Sequence, residues 1–218
     1  MFLIKIVTLK TLKKKIKFVK LRHSRRFSYV QVLKKPDGWE CAGTGNSAAV
    51  FHNGDCPDVA VKVFSDACQH IACEESEVYR KLGDFFSYPR FYGSGENFLI
   101  MQYIPGISAY ECLLKGRYIP ERVVHDIDEA VLYARRKGLN PRNIHAKNIL
   151  IHNGRGYVVD VSEYMKRGKC FHWDILRYVY HNLYRRYFKP GMKIPFWVLE
   201  YIRRGYRVLK LEGVIKRK

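Results

Sequence analysis

The sequence lacks any apolar run of the ~18 residues that a membrane-spanning helix requires. Its first ten residues, MFLIKIVTLK, are interrupted by Lys5 and Lys10, which breaks the apolar core of a secretory signal. We therefore expect a soluble, cytoplasmic protein without a transmembrane segment. Of its 218 residues, 47% are hydrophobic, enough for one compact domain or two packed lobes, so a disordered or fibrous protein is excluded.

The sequence also has no closely spaced pair of cysteines and has few carboxylates. The six cysteines form no CxxC pair, so the sequence indicates neither a zinc site nor a disulfide scaffold, and we expect reduced thiols. Only 20 Asp and Glu accompany 40 Lys and Arg, which gives a formal net charge of +20. This charge favours an acidic partner, such as phosphate, nucleic acid or an anionic surface, without choosing among them.

Strand patterns dominate the first half of the chain after a basic extension, and helix patterns dominate the second half. The predicted strands are 39–42, 48–51, 59–64, 97–103, 149–152 and 156–159, and the predicted helices are 66–82, 119–137, 172–188 and 195–210. This order predicts an α+β fold with two lobes and a cleft between them.

A glycine-rich segment, GTGNSAAV, runs from Gly43 to Val50 between two of the predicted strands. The flanking strands make it a hairpin rather than a strand-to-helix phosphate loop. Glycines at such a turn let backbone N–H groups close over phosphates without obstruction by Cβ atoms. A plain β-turn would produce the same Gly-x-Gly pattern.

A lysine lies within the apolar strand that follows this hairpin. Lys62 ends the run VAVK, where its ammonium must either reach solvent or meet an anion, because a buried unpaired charge is costly. The next predicted helix offers that anion at Glu75, which lies on its apolar face. Glu74 and Glu77 are alternatives, and three glutamates on a solvated face would also explain the pattern.

Two polar side chains flank a predicted hairpin whose turn is Asn153-Gly154. Asn148 opens the first strand and Asp160 closes the second, so antiparallel pairing should bring the two side chains together. An amide oxygen and a carboxylate are suitable ligands for a Mg²⁺ ion that also binds phosphate oxygens. Asn and Asp are equally common at strand ends as turn residues.

These elements, in this order, resemble the protein kinase family over about residues 38–188. The matching segments are GTGNSAAV for the glycine-rich loop GxGxxGxV, VAVK for the strand with the ATP lysine, MQYIPG for the hinge between the lobes, PRNIHAKNIL for the catalytic loop HRDxxxxN, and VVDVSE for the DFG segment. The resemblance implies a two-lobed fold, with a basic N-terminal extension (1–36), a β-rich N-lobe (37–104) and a reduced helical C-lobe with a basic tail (105–218).

The resemblance also implies a role for each matching residue. Lys62 would hold the ATP phosphates and be oriented by Glu75, while Asn148 and Asp160 would hold Mg²⁺. His145 would either contact the γ-phosphate as a cation or be a loop histidine whose hydrogen bonds are made within the protein. The residues implied to cover the nucleotide or to face its adenine are Gly43, Gly45, Ala48, Val50, Gln102 and Ile104, with Met101 as gatekeeper.

Three departures from the family pattern matter. Asn143 occupies the position of the aspartate that accepts the substrate's proton, so we expect a rate loss on the order of 10² to 10⁴. Asn143 is either the natural residue of a weak or inactive kinase or a substitution engineered to block catalysis. Val161-Ser162 replaces Phe-Gly, and only 14 positions separate Asp160 from Asp174, too few for an activation segment. The sequence is therefore similar to small atypical serine/threonine kinases such as the RIO group.

The basic extension and the basic tail remain open to several interpretations. A helix in the extension would pack on the domain, lie on anionic lipid or contact RNA. Packing on the domain would cover the apolar surface that a shortened C-lobe leaves exposed. Tyrosines interleaved with arginines over residues 166–218 would form the core of the C-lobe or bind RNA. We expect a phosphotransferase with an unknown protein substrate. The alternatives are a nucleotide-binding pseudokinase and an RNA- or ribosome-associated protein with a nucleotide switch.

Overall fold

The computed structural model describes residues 6–23 and 29–201, and of residues 6–9 only the backbone. The strands are β1 (Lys20–Arg22), β2 (Gln31–Lys34), β3 (Trp39–Thr44), β4 (Ala48–Asn53), β5 (Cys56–Phe64), β6 (Phe91–Ser94), β7 (Phe98–Gln102), β8 (Ile107–Ser108), β9 (Ile149–His152) and β10 (Arg155–Val158). The helices are α1 (Ile6–Ile16), α2 (Gln69–Leu82), α3 (Ala109–Lys115), α4 (Glu121–Arg136), α5 (His172–Val179) and α6 (Arg185–Tyr187), with a π-helical segment (Tyr180–Tyr184) between the last two.

A five-stranded antiparallel sheet in the order β3-β4-β5-β7-β6 forms the first half of the fold. Its central strand, β5, is apolar and β-branched on both faces, which suits a strand covered on both sides. Val61 and Val63 face one core and Ala60 and Phe64 the other. Lys62 pairs with Val50 on β4 and with Leu99 on β7, so the lysine is fixed at the middle of the sheet.

Helix α2 packs on one face of this sheet through an apolar stripe that includes Val78, Tyr79 and Leu82. These residues recur at helical spacing, as an amphipathic helix requires. Gly83 ends the helix with φ +63°, a positive value that glycine adopts more readily than residues with a Cβ atom.

The opposite face of the sheet is covered by α1. Leu12 and Ile16 are buried there against Trp39, Phe51 and neighbouring residues. The expectation that the N-terminal helix packs on the domain is confirmed for these residues, but the helix covers the sheet rather than the shortened C-lobe. The helix ends at Ile16, before Lys20–Arg22 pairs as β1 with β2.

The second half is built on α4 and a small sheet in the order β10-β9-β8. Asp126 of α4 is fully buried and accepts hydrogen bonds from the Arg155 guanidinium at 2.8 and 3.1 Å and from the Gly156 backbone N–H at 2.9 Å. A Cβ at Gly156 would lie 2.8 Å from the Val123 carbonyl, so only glycine permits this close approach. The β9–β10 hairpin is thereby held against α4.

The predicted strands and the helices α2, α4 and α5–α6 are present. The helix predicted over 195–210 is helical at 196–201, and its remainder lies outside the described residues. Sequence patterns missed α3, β1, β2, β6 and β8. Within the described residues, no helix is long and apolar enough to cross a bilayer. The proposed boundaries at 36/37 and 104/105 stay predictions.

Candidate active site

Lys62 lies between two carboxylates that come from different parts of the fold. Its ammonium is 2.7 Å from both carboxylate oxygens of Glu75 on α2 and 3.7 Å from an Asp160 carboxylate oxygen beyond β10. Glu75 is fully buried, whereas Glu74 and Glu77 are exposed. The pairing expected from the apolar face of the helix is therefore confirmed.

Burial and charge act against each other at these three groups. Burial lowers the pKa of Lys62, but the Asp160 and Glu75 carboxylates outweigh this effect and raise it above its ordinary value. Burial raises the pKa of Glu75 to about 7, although the Lys62 ammonium opposes it. Burial also acts to raise the pKa of Asp160. The Lys62 ammonium and the Ser162 N–H outweigh this effect, so the pKa of Asp160 lies below its ordinary value. Asp160 thus stays a carboxylate at neutral pH.

Asn148 and Asp160 lie at the open end of the β9–β10 hairpin. The Val159 backbone N–H donates to the Asn148 carbonyl at 3.1 Å, which extends the ladder beyond its last pair. The Asn148 amide nitrogen donates to the Asn143 carbonyl at 3.1 Å, so its amide oxygen is the atom left for a cation. The Ser162 N–H donates to Asp160 at 3.1 Å. The donor set of one amide oxygen and one carboxylate fits Mg²⁺.

The glycine-rich segment forms the predicted hairpin. Gly43 pairs with Val50, and the Gly45 N–H donates to the Ala48 carbonyl at 2.8 Å to close the turn. A Cβ at Gly43 would meet no atom within 4 Å, and one at Gly45 would make only an ordinary contact. Open space therefore adjoins this turn. Ala48, in place of the third glycine, is buried in the core.

The predicted hinge, MQYIPG (101–106), begins with the last two residues of β7. Met101 is buried, and the Gln102 N–H donates to the Arg90 carbonyl at 2.8 Å. Ile104 is also buried, and its carbonyl accepts from Gly106 at 2.8 Å. Both residues lie where the chain leaves the sheet, and their contact with adenine stays a prediction.

Asn143 and His145 lie in the loop before β9. Asn143 has φ +56°, a left-handed conformation that Asn and Asp tolerate better than other side chains. Burial and the neighbouring His172 lower the pKa of His145, and Asp160 only partly opposes them. His145 is therefore mostly neutral at neutral pH, which weakens the expectation of a cationic γ-phosphate contact.

A short segment follows Asp160 and is tied to this loop by two residues that sequence reasoning did not single out. The Asn140 amide donates to the carbonyls of Lys166 and Gly168 at 2.8 and 2.9 Å. The Arg142 guanidinium donates to the carbonyls of Arg167 and Gly168 at 2.5 and 2.8 Å. Arg142 matches the arginine of the HRD motif, and this match could have identified Arg142 from the sequence.

The tyrosines near the C terminus divide between core and surface. Tyr180 is buried and Tyr184 is half-buried, whereas Tyr178, Tyr187 and Tyr201 are exposed. The core interpretation holds for the first two, and the RNA interpretation stays a prediction for the others. Arg203-Arg204, Tyr206 and the terminal Lys216-Arg217-Lys218 lie outside the described residues.

No family model matches the chain. The Bacillus subtilis (strain 168) protein described as "Putative serine/threonine-protein kinase YrzF" is 37% identical over 180 residues, which cover 81% of this chain and 82% of that protein. A crystal structure of WbdD has a TM-score of 0.52 at 16% identity, over 79% of this chain and 45% of that one.

A crystal structure of the Mycobacterium tuberculosis PknI kinase domain, in a mutant form, has a TM-score of 0.46 at 18% identity, over 58% of this chain and 60% of that one. The chain thus matches less than two thirds of either crystallised chain. At 16% identity, the likeness to WbdD concerns the fold alone. Together with the observed sheet and helices, that likeness confirms the predicted α+β fold.

Proposed function

Since the chain belongs to the protein kinase-like family of the Bacillus subtilis protein YrzF, we propose that it is an ATP- and Mg²⁺-dependent phosphotransferase that acts on serine or threonine hydroxyls. The observation that carries this proposal is the Lys62 ammonium, 2.7 Å from Glu75 and 3.7 Å from Asp160. A triphosphate requires positive charge on both sides. The Lys62 ammonium supplies one charge, and a Mg²⁺ ion held by Asn148 and Asp160 would supply the other.

Each site residue then has a defined task. Lys62 binds the phosphates, and Glu75 holds its ammonium at the middle of the sheet. Asn148 and Asp160 supply the oxygen ligands for Mg²⁺, which when bound neutralises charge on the phosphate oxygens. The hairpin from Gly43 to Val50 covers the phosphates from above. These residues mainly position and neutralise, which is most of what phosphoryl transfer asks of a protein.

The acceptor side is the weak point of this site. Asn143 can orient a hydroxyl group by hydrogen bonding but cannot take its proton at neutral pH. The backbone of Asn143 is already held in place, since its carbonyl accepts from Asn148. The scaffold is therefore arranged for transfer, with the proton acceptor missing.

The segment between Asp160 and α5 supports a further likeness to small atypical kinases. Arg142 and Asn140 bind its main-chain carbonyls, so the segment is ordered without a phosphorylated residue. Only 11 residues lie between Asp160 and the first residue of α5, His172. A peptide platform of ordinary kinase size does not fit there, and the protein substrate must bind elsewhere on the surface.

The experiment that tests this proposal is phosphotransfer from ATP by the full chain and by Asn143→Asp. Aspartate tolerates the same left-handed backbone, so the variant should fold and should transfer phosphate about 10²- to 10⁴-fold faster. Asn143→Ala is the control and should gain nothing. Equal, negligible rates in all three, with ATP binding intact, would instead support a nucleotide-binding pseudokinase.

A further inference from the structure

A cysteine and a histidine lie together beside Asn143, and the proposed phosphotransfer uses neither. The Cys170 sulfur is 3.1 Å from His172 Nδ1 in the first turn of α5. The backbone N–H groups of Asn143 and His172 also lower the pKa of this thiol. The side chain is partly exposed, so a small molecule in solution can reach it.

These contacts favour the thiolate form of Cys170. Burial raises the pKa of the thiol, but the His172 imidazole and the two backbone N–H groups outweigh it and lower the pKa to about 7. The titratable groups that face the pair are His172 itself and, behind it, His145, whose ring centre is 6.4 Å from that of His172. A thiolate at neutral pH is the nucleophilic form of cysteine.

The other five cysteines, Cys41, Cys56, Cys68, Cys73 and Cys112, lie in different surroundings. Burial raises the pKa of Cys56 and Cys112. Cys41 and Cys73 are exposed, and the Cys41 thiol donates to the Gly43 carbonyl at 3.6 Å. The chain therefore supplies its own controls for thiol reactivity.

We propose that Cys170 is a modification site for low-molecular-weight disulfides. Its sulfur anion attacks one sulfur of the disulfide, a new S–S bond forms, the original S–S bond breaks, and the departing thiolate takes a proton from solvent. The added group lies against Asn143, where the substrate hydroxyl is proposed to bind, and blocks phosphotransfer until a thiol reductant removes it. This last consequence rests on the proposed function; the exchange itself does not.

The test is exposure of the full chain to glutathione disulfide between pH 6 and 8.5, followed by intact mass measurement and peptide mapping. The first adduct should form at Cys170, with a rate that rises through a midpoint near pH 7. Cys170→Ser should slow addition of the first adduct at least about tenfold, whereas Cys41→Ser and Cys73→Ser should not. Earlier modification of Cys41 or Cys73, or a midpoint above about 8.5, would overturn the proposal.

The role of the imidazole is tested by His172→Gln, with His181→Gln as a control at an exposed position of the same helical run. His172→Gln should slow the exchange several-fold at pH 6.5 and little at pH 8.5, and His181→Gln should change neither rate. If His172→Gln does not fold, the pH midpoint of the unmodified chain decides the question alone. The block of phosphotransfer is tested separately from the disulfide exchange. The chain modified at Cys170 should lose phosphotransfer and still bind ATP.

Discussion

At the scale of single residues, the buried charges at Lys62 and Glu75 are held by each other. Removing one member of a buried pair leaves the other uncompensated, whereas replacing both by apolar residues is often neutral. We predict that Lys62→Met lowers the free energy of unfolding by about 3 kcal/mol, and that Lys62→Met with Glu75→Leu restores most of it. Denaturant unfolding of the wild type, both single variants and the double variant measures this. Additive losses in the double variant would contradict the account.

The lowered pKa of Asp160 predicts a specific pH dependence of stability. Because the unfolded chain takes up the proton at a higher pH than the folded chain does, Asp160 stabilises the fold above its ordinary pKa of 3.8. This contribution is lost as pH falls through the lower folded value. Asp160→Asn should therefore flatten the fall in unfolding free energy below about pH 4. An exposed control, Asp55→Asn, should leave that fall unchanged, and an identical fall in both variants would argue against the Lys62–Asp160 interaction.

Sequence reasoning reached these residues because their patterns conflict with their surroundings. Lys62 stands out as a charge in an apolar strand, and Glu75 as a carboxylate on an apolar helix face. Cys170 carries no such signal. Its proposed reactivity depends on the turn that places the His172 ring 3.1 Å from its sulfur and on the backbone of Asn143, which only the folded chain brings to it. Contacts between distant loops leave no periodic trace in a sequence.

At the scale of elements, the catalytic loop and the segment after Asp160 are joined by Arg142. Its guanidinium binds two main-chain carbonyls, and hydrogen bonds to a charged donor are worth about 1.5–3 kcal/mol each. We predict that Arg142→Ala speeds amide hydrogen exchange over residues 163–170 and lowers the free energy of unfolding by about 3 kcal/mol, the low end for two such bonds.

A matched control for this prediction is Arg177→Ala. Arg177 makes a half-exposed ion pair with Asp128 at 3.3 Å, and such pairs are worth at most about 1 kcal/mol. The control should leave exchange in 163–170 unchanged. If Arg142→Ala behaved like the control, the segment would be held by other contacts, and its order without phosphorylation would need another cause.

Elements with strong periodicity were predictable and short elements were not. α2 and α4 carry apolar stripes over several turns, and the Asn153-Gly154 turn fixes the β9–β10 hairpin. β8 has two residues and α3 seven, too few for a period to emerge. The capping box of Ser108 and Glu111 marks the start of α3, and this local signal was available in the sequence.

At the scale of the whole molecule, the candidate site depends on two halves of the chain meeting across one gap. Lys62 comes from the first sheet and Asp160 from the hairpin packed on α4, 98 positions later. Helix α2 contributes Glu75 from behind the sheet. The resemblance to protein kinases implied this meeting, and the 3.7 Å separation of Lys62 and Asp160 is consistent with it.

The central claim is that a triphosphate and Mg²⁺ bind between Lys62 and Asp160. Calorimetric titration of the full chain with ATP, with and without Mg²⁺, tests it most directly. We predict binding that Mg²⁺ strengthens at least about tenfold, loss of that gain in Asp160→Ala, and weaker binding under both conditions in Lys62→Ala. Asp55→Ala should behave like the wild type. No measurable ATP binding, or an undiminished Mg²⁺ effect in a folded Asp160→Ala variant, would contradict the account.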